Sequence, residues 1–166
     1  MSDLLLAIDP GDTESAWVVI DMDTRQPIAH GKQPNAYVLE FCHDHRSQST
    51  YQHIAIEMIA SYGMPVGAEV FDTCVWIGRF TEALTFGGRT EPELVYRRSV
   101  KLHLCRSAAA KDSNITQALV DRFARGQSNF GKGTKTEPGW FHGFYKDIWA
   151  AYAVAVYAAD QIHGYQ

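Results

Sequence analysis

The stretch Leu4-Leu5-Leu6-Ala7-Ile8-Asp9-Pro10-Gly11-Asp12 most constrains what this chain can fold into. A short apolar run ends in one carboxylate, and a Pro-Gly turn follows at once. A second apolar run, Ala16-Trp17-Val18-Val19-Ile20, comes next. The pattern predicts a buried strand, a tight turn and a second strand. An acid at the end of a buried strand loses hydration, and the loss stands uncompensated unless something pairs with it. Two more acids adjoin apolar runs far along the chain. Glu57 sits in His53-Ile54-Ala55-Ile56-Glu57-Met58-Ile59, and Asp147 precedes Ile148-Trp149-Ala150-Ala151-Tyr152-Ala153-Val154-Ala155-Val156. Three acids at the margin of one core suggest a divalent-metal site.

The remaining elements alternate in type. Strands are expected at residues 16–21 and 27–33. A helix follows from Asn35, a possible N-cap, to residue 44. Residues 53–59 lack alternation and read as a strand buried on both faces. A helix over Ala68–Thr85 should bury the stripe Val70, Cys74, Ile77 and Thr81, with Phe71, Phe80 and Leu84 beside it, and end at Gly87-Gly88. A short strand at 93–97 leads to a short helix at 100–106. A further helix carries Ile115, Leu119, Val120 and Phe123. Residues 126–145 have no periodicity, and a loop of that length is usually functional or disordered. An Ala-dense helix over 147–162 closes the chain. This order predicts one domain over residues 1–166. Its core would be a mixed five-stranded sheet, three antiparallel leading strands and then two parallel ones, with helices on both faces. The order is similar to that of ribonuclease H-like folds.

The 166 residues suffice for a real core, and no apolar run approaches the roughly 20 residues a membrane helix needs. No basic leader or cleavage site opens the chain. Cys42, Cys74 and Cys105 are odd in number and widely spaced, as expected of a reduced, cytoplasmic protein. The net charge of −4 argues against a nucleic-acid partner until its distribution is seen. From Arg97 to Lys135 nine basic residues face two acids, a net of +7 that leaves −11 for the rest. Such a segment is either a phosphate-facing surface or a pair of solvated, salt-bridged helices.

Mg²⁺ prefers oxygen ligands, usually carboxylates, waters and phosphate oxygens. Two such ions about 3.5–4 Å apart can clamp an in-line displacement at phosphorus. Asp9, central in the sheet, would bridge them, with Glu57 on one ion and Asp147 on the other. Each acid also has a plainer reading. Asp147 can cap a helix, Glu57 can close a strand-end salt bridge, and Asp9 can start the Pro-Gly turn.

In three blocks the chain resembles the RuvC-like Holliday junction resolvases, especially those of phages and prophages. The blocks are Ile8-Asp9-Pro10-Gly11, Ile54-Ala55-Ile56-Glu57 and the acid-led helix from Asp147 to Val156. Between them, Val100-Lys101 and Ala110-Lys111-Asp112-Ser113 look like the family's two lysines near the scissile phosphate. The resemblance implies a homodimeric, Mg²⁺- or Mn²⁺-dependent endonuclease of a bacterial host cell, acting on four-way or branched DNA. It implies Asp9, Glu57 and Asp147 as metal ligands and Lys101 and Lys111 as phosphate contacts. Arg98 and Arg106 would extend the DNA-binding surface. Tyr62 or Met64 would stand where the family places a junction wedge, though either can equally be a core-facing loop residue. Val75, Trp76 and Arg79 would lie at the dimer interface. One departure stands out: the family's second acid on the last helix is Ala150 here. Aligning Asp147 with that later acid instead puts Phe144 at the earlier position. His142 and Asp12 are nearby substitutes. The missing acid keeps two alternatives open, a junction-binding protein of weak or no activity and a related nuclease on another branched DNA or RNA.

Asp9-Pro10-Gly11-Asp12-Thr13 also fits the phosphate loop of actin- and hexokinase-like ATPases, but those need two such domains. His43 and His45 beside Cys42 lack a second ligand pair for zinc. Trp140, Phe141, Phe144, Tyr145 and Trp149 can stack on bases or pack on the Ala-rich helix, and packing is the simpler expectation.

Overall fold

A computed structural model describes residues 3–44, 50–86 and 91–164. Five strands form one sheet in the order β3-β2-β1-β4-β5. They are β1 (Leu4–Asp9), β2 (Glu14–Asp21), β3 (Pro27–Pro34), β4 (His53–Met58) and β5 (Glu93–Tyr96). β1, β2 and β3 pair antiparallel, whereas β4 and β5 add parallel to β1. The helices are α1 (Asn35–His43), α2 (Ala68–Thr85), α3 (Arg97–Cys105), α4 (Asp112–Phe123) and α5 (Ile148–His163). The mixed five-stranded sheet with helices on both faces is therefore as expected.

Strand alternation divides the core into two layers. Leu6, Ile8, Val19 and Ile56 pack under α1 and α2 with Val38, Ile77, Phe80 and Leu84. Leu5, Ala7, Ala16, Val18 and Ala55 face the other way and pack under α5, with α3 and α4 beside it. The alanines of α5 let its backbone lie close to β1 and β2, and Tyr152 and Val154 fill the remaining depth. Fully burying one such valine is worth about 1.5–3 kcal/mol.

Three local expectations change. The helix expected at residue 100 begins at Arg97, directly after a β5 that stops at Tyr96. The α2 stripe is rotated: Thr73, Ile77, Phe80, Ala83 and Leu84 are buried, while Val70, Cys74 and Thr81 are half-buried. Thr73 tolerates burial because its hydroxyl donates to the Glu69 carbonyl at 2.7 Å. Asn35 does not cap α1, since Pro34 holds that position. Instead the Ser15 hydroxyl donates to Asn35 Oδ1 at 2.6 Å, and Asn35 Nδ2 donates to the Gly11 carbonyl at 2.9 Å. The Gly11 N–H donates to Ser15 Oγ at 3.2 Å, which closes a ring around the turn that follows Asp9. A Cβ on Gly11 would meet the Glu14 carbonyl oxygen at 2.3 Å, so this turn requires glycine.

The 126–145 loop is ordered by its own packing. Gly133 bridges to Pro138, and Phe141 and Phe144 are buried against Trp149 and Tyr152. Trp140 stacks on Phe123 and donates its indole N–H to the Tyr152 hydroxyl. The simpler reading of these aromatics as packing holds for all but Tyr145, which is 47% exposed. Gly87-Gly88 lies outside the described residues.

Candidate active site

The sheet register builds the site. Ala7 pairs with Ala55 and Ile8 with Ile56, so the next step places Asp9 beside Glu57 at the carboxyl ends of β1 and β4. Ala7 and Ala55 face α5, so Asp9 and Glu57, two residues on, face it too. The same row continues both ways. Asp9 pairs with Ala16 and Ala16 with Lys32. Glu57 pairs with Val95, and Arg97 follows two residues later. The small Ala16 separates Lys32 from Asp9. Two adjacent acids with a cation on either side thus cross the mouth of the sheet.

The acids are unequally paired. Arg97 Nε donates to Glu57 Oε1 at 2.8 Å, and its Nη1 donates to Asp112 Oδ1 at 2.6 Å. Lys32 Nζ donates to Asp147 Oδ2 at 2.6 Å. The Glu57 side chain is only 10% exposed, and its Oε2 is one of two buried side-chain oxygens without a hydrogen-bond partner among the described residues. Asp9 stands against it. Burial raises the Asp9 pKa well above the usual carboxylate range, contact with Glu57 and the charges of Glu57 and Asp147 push it the same way, and the Arg97 charge opposes them. Two acceptors cannot satisfy each other unless a proton or a cation lies between them.

The pairings differ in strength. The Lys32–Asp147 pair has an acid 54% exposed, and an exposed pair of this kind is worth about 0–1 kcal/mol. The Arg97–Glu57 pair is less exposed, with the Glu57 side chain at 10% and the Arg97 side chain at 37%, so water screens it less. Asp147 makes no side-chain capping bond, so the capping reading fails. The salt-bridge reading of Glu57 is realised through Arg97.

Asp9 and Glu57 are therefore brought together, while Asp147 reaches Asp9 through its charge and is turned to Lys32. Among the described residues no three His, Cys, Asp or Glu side chains stand close enough to hold an ion as they are. The donor chemistry still fits a hard divalent cation: adjacent carboxylates, one with an unused buried oxygen, and a third on a labile pairing. Ala150 contributes no ligand, and lines a small cleft with Arg97, Asp112 and Asp147. The proposed substitutes do not fill its place. The His142 ring faces the Lys132 carbonyl and its own carbonyl meets His30, while Asp12 is exposed in the turn. Phe144, 2% exposed, belongs to the aromatic cluster.

Beside Glu57 opens a cleft of about 390 Å³, lined by Met58, Tyr62, Arg97, Arg98 and Lys101 among others. Three cations and an exposed tyrosine thus border the acid pair. Lys111 is exposed at the N-cap of α4, next to Asp112. Arg106 is exposed at the far end of α3 and outside this cleft. Tyr62 and Met64 are 61% and 68% exposed, which removes their core-facing reading; only Tyr62 lines the cleft. On α2, Val75 is exposed, the Arg79 guanidinium lies 4.1 Å from the Trp76 ring centroid, and Trp76 tilts onto Phe80.

Sequence reasoning missed Lys32, Arg97 and Asp112 as members of the site. The first two were findable, since they share the alternation parity of Ala16 and Val95. No zinc cluster forms at Cys42 and His43 among the described residues, and His45 lies outside them. Burial pushes the Cys42 thiol up to about 12.

No protein-family model matches the sequence, and no curated protein matches it. Solved structures do. The chain is similar to the Thermus thermophilus RuvC structure, with a TM-score of 0.65 at 17% identity over 97% of this chain and 96% of that one. It is similar to T. thermophilus RuvC in complex with a Holliday junction substrate, with a TM-score of 0.66 at 15% identity over 96% and 94%. The chain shares the fold of these RuvC structures.

Proposed function

We propose that this protein is a divalent-metal-dependent endonuclease that resolves Holliday junctions or related branched DNA, acting as a homodimer. The observation that carries the reading is the buried Asp9–Glu57 pair with its unpartnered Glu57 Oε2, at the sheet end bordered by Arg97, Arg98 and Lys101. The fold likeness to a RuvC solved with a Holliday junction substrate supports the choice of substrate.

Asp9 and Glu57 would hold the ion, Mg²⁺ or Mn²⁺, with Asp147 joining once Lys32 releases it. The bound ion would supply Lewis-acid polarisation of a phosphoryl oxygen. Lys101 and Arg98 sit where a backbone phosphate entering the cleft would meet them, and Lys111 flanks that path. Such contacts make binding salt-dependent. Tyr62, exposed at the cleft mouth, is better placed than Met64 to press into a junction. Val75 and Arg79 are the exposed members of the proposed dimer face. Among the described residues no helix is long and apolar enough to cross a membrane. A bacterial cytoplasm, with phage or prophage origin, is part of the same proposal.

Alanine at position 150 favours a second reading, a protein that grips junctions without cutting them. Incubating a labelled four-way junction with Mg²⁺ or Mn²⁺ separates the two. Paired nicks that EDTA abolishes support the nuclease, and retention of the junction without a nick at either metal removes it. Flaps, replication forks and RNA–DNA hybrids at the same salt concentration test the substrate.

A further inference from the structure

We infer that this site takes one divalent ion rather than two, with the Arg97 guanidinium standing in for the second positive centre. The inference rests on the metal-dependent reading of the Asp9–Glu57 pair. Asp9 lies against Glu57 and feels the charge of Asp147, and Asp112 is joined to Glu57 through Arg97. Two cations are built in, Lys32 and Arg97. Ion pairs thus already engage Glu57, Asp147 and Asp112, which leaves little unpaired negative charge for a second ion.

Geometry points the same way. Arg97 binds two carboxylates through different nitrogens, Glu57 at 2.8 Å and Asp112 at 2.6 Å. A guanidinium is a planar fork that stays charged and suits such bridging, whereas an ammonium is a single mobile point charge. Arg97 thus occupies Glu57 Oε1 and Asp112 Oδ1, two oxygens that a second ion on this side would use. The facing turn of α5 adds no acid, since Ala150 lines the same small cleft as Arg97, Asp112 and Asp147. What remains for metal is the unpartnered Glu57 Oε2, in a side chain nine-tenths buried, beside Asp9. That arrangement accommodates one ion. Asp112 then serves as an anchor that holds Arg97 over the site.

The test counts ions on the full chain and needs no cleavage. Equilibrium dialysis with Mn²⁺, read together with the electron paramagnetic resonance of the bound ion, should give one Mn²⁺ per wild-type chain without a spin-coupled pair. Arg97→Gln should admit a second Mn²⁺ with a coupled signal, and Arg97→Lys, which keeps the charge, should hold the count at one. Two ions or a coupled pair in the wild type overturn the inference and leave the metal-dependent reading standing. A count that stays at one in Arg97→Gln also overturns it. No Mn²⁺ bound to the wild type overturns both. Circular dichroism checks that Arg97→Gln is folded; if it is not, the wild-type count and coupling decide.

Discussion

The two ends of α5 adjoin two desolvated acids, one on the helix and one at the end of β1, with opposite fates. Near its C-terminus, Asp160 is 2% exposed and fully engaged. Arg25 donates to its Oδ1 at 3.0 Å, Arg122 to Oδ2 at 2.6 Å, and His103 Nε2 lies 2.7 Å from Oδ2. Burial would raise its pKa, but hydrogen bonds from Arg122 and His103, the Arg122 charge and the Arg25 bond outweigh it and hold the carboxyl below its ordinary value. Near the N-terminus, Asp9 is also desolvated, yet it faces another carboxylate and its pKa is driven up. The fold can pair a buried acid completely, and at Asp160 it does. Asp9 and Glu57 are left one cation short at the mouth of the sheet, next to a cationic cleft. That contrast separates an acid that locks the fold from an acid pair that, on the proposed function, is kept for a ligand.

Exchanging each acid for its amide should break the comparison in opposite directions. Asp9→Asn should abolish junction cleavage, a loss larger than the ~10–100-fold typical of a metal-orienting neighbour. It should retain junction binding and keep or raise the melting temperature of the metal-free protein, because it removes a charge that Glu57 repels. Wild-type cleavage rates in this variant would contradict the metal assignment. Asp160→Asn should do the reverse. It strands two guanidinium groups, costing about 3–5 kcal/mol, or roughly 6–20 °C in melting temperature for a chain of this size. A calorimetric scan checks it, and an unchanged midpoint would show that the network adds no stability.

Acid should sharpen the same distinction. The folded pKa of Asp160 lies below its unfolded value of about 3.9. Its contribution is therefore complete above about pH 4 and is lost as pH falls through the folded value. Urea midpoints measured from pH 6 downward should fall less steeply below pH 4 in Asp160→Asn than in wild type. Parallel curves would contradict the sign. The smallest effect is expected at the cleft. Lys101→Ala should reduce the salt slope of junction binding by about 1, and an unchanged slope and cleavage rate would mark Lys101 as surface charge.

How far these regions were legible in the sequence follows from the range of their contacts. Asp9 and Glu57 could be found because each ends an apolar strand, and strand alternation fixes the face. Asp147 was visible as the acid leading an Ala-rich helix, but its turn toward Lys32 depends on a register across three strands. Arg97 read as one of nine cations in a basic segment. Its bridge from Glu57 to Asp112 exists because β5 stops one residue earlier than its apolar pattern suggests, which hands Arg97 to the helix start. Asp160 carries no signal in the local sequence pattern. Its partners Arg25 and Arg122 come from a turn and a helix that only tertiary packing brings together. The α2 stripe slipped for a local reason: Thr73 satisfies its hydroxyl on its own helix and can be buried, while Val70, expected in the buried stripe, is only half-buried.

The most direct test of the central claim is a crystal of the protein soaked in Mn²⁺ and measured at the manganese absorption edge. The account predicts an anomalous peak at Asp9 and Glu57 Oε2, and none at Asp160. Saturating Mn²⁺ with no peak at Asp9 would contradict it.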